Sequence, residues 1–197
     1  MARIYSSDAH YNHFNVTSHP KSKNYCNRPF TSIEEMNESL IERWNSRVKP
    51  DDEVQYLGDF SLDFKAVEEI LPRLNGNFHL KSGNHDKTWK LKPQCVKKYL
   101  DSGFKSVKMI DEIDIDGHGH KVVLSHLPYK PPEALNEDVR YLEYRPKDKG
   151  LVALVGHVHE KWKIGPYSKM INVGVDVWDY YPVSEEELIP LIRSFYG

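Results

Sequence analysis

The sequence predicts an α/β (α+β) domain: a two-sheet β-sandwich of mixed strands flanked by helices. Three observations predict it. Short apolar strands alternate with helical patterns through the first hundred residues, which is the rhythm of parallel β-α-β units. Later strand patterns follow one another with only a turn between them, which is the rhythm of a hairpin. No composition shift, repeat or low-complexity tract marks a linker, so residues 1–197 read as one domain with a loop-helix insertion at about 11–50.

Each element has its own signal. Residues 3–7 read as a strand that runs into Asp8-Ala9-His10. Residues 11–30 are polar and aromatic without a period and read as a long loop, of the length that in compact domains is usually functional or disordered. Ser32 and Glu35 then form an S-x-x-E capping signal. Ile33, Met36, Leu40, Ile41, Trp44 and Val48 recur at three- and four-residue steps, one apolar helical stripe. Residues 53–57 form a strand ending in Gly58-Asp59, residues 64–74 a helix, and residues 78–81 a strand ending in Gly83-Asn84-His85-Asp86. A mixed stretch with a helix around residues 95–100 follows. Residues 107–115 and 121–124 read as a hairpin about Asp116-Gly117-His118-Gly119. Residues 151–155 and 169–173 are further strands. Ser184 and Glu187 cap a last helix that Pro190 is expected to kink.

Composition narrows the function. With 27 basic and 29 acidic residues the formal charge is -2, which excludes a basic protein that coats nucleic acid and leaves no extended nucleic-acid surface in evidence. Cys26 and Cys95 form no C-x-x-C motif and no disulfide framework, which suits a reducing compartment. No apolar run reaches the roughly 18 residues of a membrane span. The N-terminus lacks the apolar stretch of a signal peptide. The expectation is a cytoplasmic protein with no membrane partner. Its ten histidines are the one oddity, and where they fall decides the chemistry.

Five polar clusters follow five predicted strands: Asp8-Ala9-His10, Gly58-Asp59, Gly83-Asn84-His85-Asp86, Ser125-His126 and Gly156-His157-Val158-His159. Loops beyond strand carboxyl ends converge on one crevice in open α/β sheets. Carboxylate, amide and imidazole gathered there suit divalent Mn, Fe, Zn or Ni better than Mg or Ca, with no thiolate in the set. Two such ions about 3.5–4 Å apart activate water at neutral pH and neutralise charge on phosphoryl oxygens. Gly58, Gly83 and Gly156 are expected to let the chain turn sharply as it leaves each strand.

The five clusters, in order, resemble the calcineurin-like metallophosphoesterase family, whose pattern is D-x-H, G-D, G-N-H-D/E, a lone H and G-H-x-H. Cys26-Asn27-Arg28-Pro29-Phe30, Met36, Trp44-Asn45, Leu57-Gly58-Asp59-Phe60, Gly76-Asn77 and Leu124-Ser125-His126-Leu127-Pro128 are most similar to its small bacterial and phage-encoded branch. Asn12 stands where that branch often has Gly, so the entrance loop is expected to differ. The resemblance implies a metallophosphoesterase-like sandwich and two divalent metal ions, with Mn preferred over Fe, Zn, Ni or Mg. It assigns Asp8, His10 and His159 to the first ion and Asn84, His126 and His157 to the second, with Asp59 bridging both. It makes His85 the acid that protonates the leaving oxygen after attack by a metal-bridging hydroxide, with Asp86 orienting His85. The implied substrate is a small phosphodiester, nucleotide or cyclic nucleotide before a phosphomonoester.

Other residues are weighed against plainer roles. Arg28 is a candidate phosphate fork, against a salt bridge. His13 is a candidate substrate contact, against an ordinary loop residue. Tyr129, Lys130, Arg140, Tyr141, Tyr144 and Arg145 either line a cleft or form a solvated loop. His118 and His120 read as surface, His19 as a loop residue, His79 as a strand residue, and the stretch around Asp176 and Trp178 as structural. The rivals are a catalytically silent interaction module on the same fold and a mononuclear zinc amidase, which would need neither Asn84 nor a shared Asp59.

Overall fold

The computed structural model describes residues 1–115, 119–133 and 140–196. It is an α+β fold with two mixed sheets and four α-helices among those residues. The first sheet holds β1 (Arg3–Ser6), β2 (Glu53–Tyr56), β3 (Asn77–Lys81), β4 (Ser106–Lys108) and β9 (Val183–Ser184), in the order β4-β3-β2-β1-β9. The second holds β5 (Ile110–Asp114), β6 (Lys121–Ser125), β7 (Val152–Val155) and β8 (Met170–Asn172), in chain order. Strands β1, β2 and β3 are mutually parallel, with Ser6 level with Tyr56 and Val54 level with Phe78. Strands β6, β7 and β8 are also parallel, while β5 and β9 run antiparallel to their neighbours.

Helix α1 (Ile33–Arg47) carries the expected stripe: Met36, Leu40, Ile41 and Trp44 are buried and Ile33 is half-buried. Ser32 caps it by accepting from the Glu35 N–H at 3.1 Å, whereas the Glu35 carboxylate reaches back to Thr31, accepting from both its N–H and its hydroxyl. The loop-helix segment at about 11–50 is the crossover that joins the adjacent parallel strands β1 and β2. Helix α2 (Phe64–Ile70) is shorter than the 64–74 expected. Pro72 lacks the amide that would continue the ladder, and Leu71–Arg73 tightens into a 3-10 turn. Helix α3 (Pro93–Asp101) begins on its proline, where a missing N–H costs nothing. Helix α4 (Glu185–Arg193) has the full Ser184–Glu187 capping box and continues through Pro190.

The predicted strand at 107–115 is two strands. Its first part pairs with β3 and its second with β6, so the chain crosses from one sheet to the other at Met109. Extended propensity is local, but the choice of partner is not. The antiparallel pairing of β5 with β6 matches the expected hairpin, although Asp116, Gly117 and His118 at its tip lie outside the described residues.

Two cores result. One lies between the first sheet and α1–α3 and is aromatic, with Trp44 stacked on Phe78 at 5.2 Å and Tyr99 on Phe104 at 5.5 Å. The other, between the sheets and under α4, is mostly aliphatic and gathers Val122, Leu124, Val152, Leu154, Ile171 and Val183. Among the described residues no helix is long and apolar enough to cross a membrane.

Candidate metal centre

Parallel pairing decides where the polar clusters go. Because β1, β2 and β3 run level and parallel, the segments after them emerge side by side at one edge. The Asp8 N–H donates to the Gly58 carbonyl at 3.0 Å and the His10 N–H to the Asp59 carbonyl at 3.1 Å, continuing the ladder past the strand ends. The β6 and β7 exits are likewise tied, Gly156 N–H to His126 carbonyl at 3.0 Å. A third link joins the two sheets: the His157 N–H donates to the Asp8 carboxylate at 3.0–3.1 Å.

All seven expected metal ligands meet there. The donor atoms of Asp8, His10 and His159 lie within 4.8 Å of one another, and so do those of Asp59, His126 and His157. Asp59 Oδ2 is 3.5 Å from His10 Nε2 and 3.3 Å from His126 Nε2, so one carboxylate faces both trios. Asn84 Oδ1 is 3.1 Å from His126 Nε2. Five of the seven, Asp8, His10, Asp59, His157 and His159, have left-handed backbone at φ 50–71°. Each costs about 1 kcal/mol or more in a non-glycine residue, and such strain collects where side chains must be aimed.

Hydrogen bonds set the imidazole tautomers. His126 Nδ1 donates to the Leu57 carbonyl at 2.8 Å and His159 Nδ1 to the Asp176 carboxylate at 2.8 Å, leaving each Nε2 for the centre. His10 differs. It is buried, and neither ring nitrogen has a hydrogen-bond partner among the described residues. A fully dehydrated imidazole with two idle nitrogens costs free energy unless a cation uses one of them.

Charge follows the same division. Burial pushes the Asp8 carboxyl up, against the pull of His126 and His159. Burial also works on Asp59, but His126 and His10 outweigh it and hold that carboxyl well below the usual range. Burial holds His10 well below the ordinary imidazole value and lowers His13 to about 4. For His126 burial is outweighed by Asp59, and the ring is raised to about 9.

Three expectations are corrected. Arg28 is not a phosphate fork. It is fully buried, with Nε and Nη2 on the Asp176 carboxylate at 2.7 and 3.0 Å and its other N–H groups on the Ala9 and Asp8 carbonyls. The guanidinium fork is fully used from beneath, where it fixes the backbone that presents Asp8. Asp86 does not orient the His85 ring. Its carboxylate accepts the N–H groups of Asp59, Phe60 and Gly83 at 2.8–2.9 Å, clamping the β2 and β3 exits together. Burial and the neighbouring Asp59 push its pKa up to about 7 despite those donors. Of the three glycines only Gly58, at φ +91°, needs a turn closed to other residues. Gly83 and Gly156 are needed for space: a Cβ on either would collide with the Asp59 or Asp8 carboxylate.

His85 and His13 line a cavity of about 310 Å³ with His10, Asp59, His157 and His159. The His85 ring is 5.2 Å from the His10 ring, and the His85 backbone N–H donates to Asp59 Oδ1 at 2.8 Å. His13 sits 5.3 Å from His10 and 6.3 Å from His85, within the cavity wall. His79, between Glu53 and Ser106 on β3, is the strand residue expected. His120 is exposed, as expected, and His118 lies outside the described residues. Of the loop residues left open, Tyr129 is buried and Arg145 nearly so, while Arg140 reaches the cavity.

Asp176 was read as structural and is more than that, since it holds both His159 and Arg28. Its signal was a lone acid inside the apolar run Val173-Gly174-Val175-Asp176-Val177, which a buried position tolerates only with charged partners. Cys26, absent from the expected ligands, lies 3.2 Å from His159 Nδ1.

No family model matches the chain. The uncharacterized protein MJ1445 of Methanocaldococcus jannaschii is 34% identical over 198 residues, covering 98% of this chain and 93% of its own. The gene 66 protein of Mycobacterium phage D29 is 31% identical over 159 residues, covering 74% and 78%. The crystal structure of a protein of unknown function, AQ665 from Aquifex aeolicus, shares the fold with a TM-score of 0.67 at 24% identity, covering 97% of this chain and 99% of that one.

Proposed function

Because the chain belongs to one family with MJ1445 and the mycobacteriophage gene 66 proteins, none of which is named for an activity, we propose from its own residues that it is a two-metal phosphoesterase of the metallophosphoesterase type. The substrate is a phosphodiester or nucleotide. The observation that carries this reading is His10: two dehydrated ring nitrogens with no hydrogen-bond partner among the described residues, one of them 3.5 Å from the Asp59 carboxylate, in a wall of donors.

Asp8, His10 and His159 would hold one divalent ion, Asn84, His126 and His157 the other, and Asp59 both. When bound, the pair supplies positive charge against the phosphoryl oxygens and a water acidified to near neutral pH. Mn fits this mixed imidazole and carboxylate set, and Fe, Zn and Ni fit it too. The chain's own residues do the rest. Asp176 and the Leu57 carbonyl fix which nitrogen of His159 and of His126 is left for a metal ion. His85, exposed to the cavity and anchored through its backbone N–H on Asp59, delivers a proton from its ring to the leaving oxygen. Asp86 acts at one remove, by fixing the segment that carries His85.

The test is direct. The chain is stripped with chelator, its metal counted by elemental analysis, Mn restored, and bis(p-nitrophenyl) phosphate and p-nitrophenyl phosphate assayed. Two ions per chain and Mn-dependent turnover of the diester are expected. Faster turnover of the monoester would move the reading to a phosphatase. No metal-dependent turnover of either by folded protein would overturn it. Asp59→Asn is expected to lose metal and activity together. His85→Ala is expected to keep its metal and lose about 10²–10⁴-fold in rate on esters with poor leaving groups.

A further inference from the structure

Beside the metal cavity lies a second one of about 180 Å³. Tyr25, Arg140, His157 and His159 line both, so the two spaces adjoin across these side chains. We propose that the side cavity is a subsite for the non-reacting part of the substrate. Its occupant joins an aromatic ring to a second anionic group, as in a nucleotide that carries another phosphate besides the one hydrolysed. This rests on the phosphoesterase reading and narrows it.

Size comes first. The metal cavity and its annex together fall within the roughly 300–1,000 Å³ of small-ligand sites, more than a phosphoryl group alone requires. The walls come second. Tyr25, Trp162 and Tyr167 offer aromatic surface, and among the described lining residues Arg140, Arg145 and Lys161 carry positive charge, Arg140 and Lys161 on exposed side chains, while Glu160 carries a carboxylate. Guanidinium matches phosphate geometry in a way that favours an anionic group over a neutral one.

The annex is built rather than incidental. Asn172 Nδ2 donates to the His159 carbonyl at 2.8 Å and to the Trp162 carbonyl at 3.0 Å, so one side chain ties a metal-site residue to an annex wall. The Tyr167 hydroxyl donates to the Tyr129 carbonyl at 3.0 Å. Arg145 is 8% exposed and donates from Nε to the Arg140 carbonyl and from Nη1 to the Pro128 and Tyr129 carbonyls, which holds the backbone of Arg140 at the rim. Walls fixed before binding cost less to order when a ligand arrives. Two cations on a chain of net charge -2 suit one extra phosphate, not a polymer track.

The experiment uses esters that share a leaving group. With Mn restored, methyl p-nitrophenyl phosphate is compared with the p-nitrophenyl ester of thymidine 5′-phosphate, with and without a 3′-phosphate. The 3′-phosphorylated ester is expected to exceed its unphosphorylated partner in kcat/KM by about tenfold. That ratio is expected to fall to near one in the Arg140→Ala/Lys161→Ala double variant, whose side chains are exposed and whose fold is checked by circular dichroism. Independently, adenosine 3′,5′-bisphosphate is titrated calorimetrically into the chelator-treated chain and is expected to bind at least tenfold more weakly to the double variant. A wild-type ratio near one, or a ratio unchanged in the double variant, overturns the subsite. If all three esters stay inert while the bisphosphate binds through these two cations, the subsite stands and the phosphoesterase reading falls.

Discussion

The two sheets contribute unequally to the site. The exits of β1, β2 and β3 supply both carboxylates that face the centre, the Asn84 amide, His10 and His85, whereas the exits of β6 and β7 supply imidazoles only, His126, His157 and His159. Their interiors differ as well. The first sheet rests on a helix-covered aromatic core, and the second is mostly aliphatic, its outer face covered by Tyr129, Trp162 and Tyr167. Neither sheet alone carries the seven candidate ligands, so the proposed centre needs both. Polar ties add to apolar burial in fixing that meeting: His157 N–H to Asp8, Arg28 to Asp176 from below, and Lys81 near Asp111 between β3 and β5.

Breaking those ties in turn tests the comparison. The largest effect is expected of Arg28→Ala. It leaves Asp176, whose carboxyl Arg28 and His159 hold well below its ordinary value against burial, as a buried charge with one partner fewer. The loss is about 3–5 kcal/mol in urea unfolding, and Mn affinity should fall with it. If metal binding survives unchanged, the ion pair serves the fold alone. Next is Asn172→Ala, which strands the His159 and Trp162 carbonyls and the Gly174 N–H, at roughly 2–4 kcal/mol. Loss of activity beyond the loss of folded protein would show that the second sheet's loop is aimed and not merely held.

The smallest and most specific effect belongs to Lys81. Burial lowers its pKa to about 8 from 10.5, despite Asp111. Between those values the unfolded chain binds more protons than the folded one, so stability rises with pH across that window and the penalty is complete below pH 8. Lys81→Met should flatten that rise, a change of roughly 1–2 kcal/mol between pH 8 and 10 read from urea midpoints. A profile that stays as steep would show that the seam between β3 and β5 is not where the cost lies.

Much of the site was legible because its residues are local words at strand ends. D-x-H, G-D, G-N-H-D, the lone His and G-H-x-H each need only a strand followed by a polar turn to be read, and all seven expected ligands converge. Arg28 was misread for a physical reason. An arginine in a loop looks the same in sequence whether it faces solvent or a carboxylate 148 positions away. Asp86 was misread because its adjacency to His85 in sequence suggests contact, whereas the turn sends its carboxylate back onto three amides. Asp176 was passed over because its partners lie in other segments.

The sequence by itself determined what local chemistry can determine. It placed the α1 stripe, the Ser184 capping box, the alternation that makes an α+β fold, and the types of ligand available. Tertiary structure alone decided which extended segment joins which sheet, as at Met109, and which polar side chains are spent on the scaffold. Pairing and burial are agreements between distant segments, and no single segment carries that information. The excess of histidine is the bridge between the two: composition announced it, and the parallel exits of two sheets made it a site.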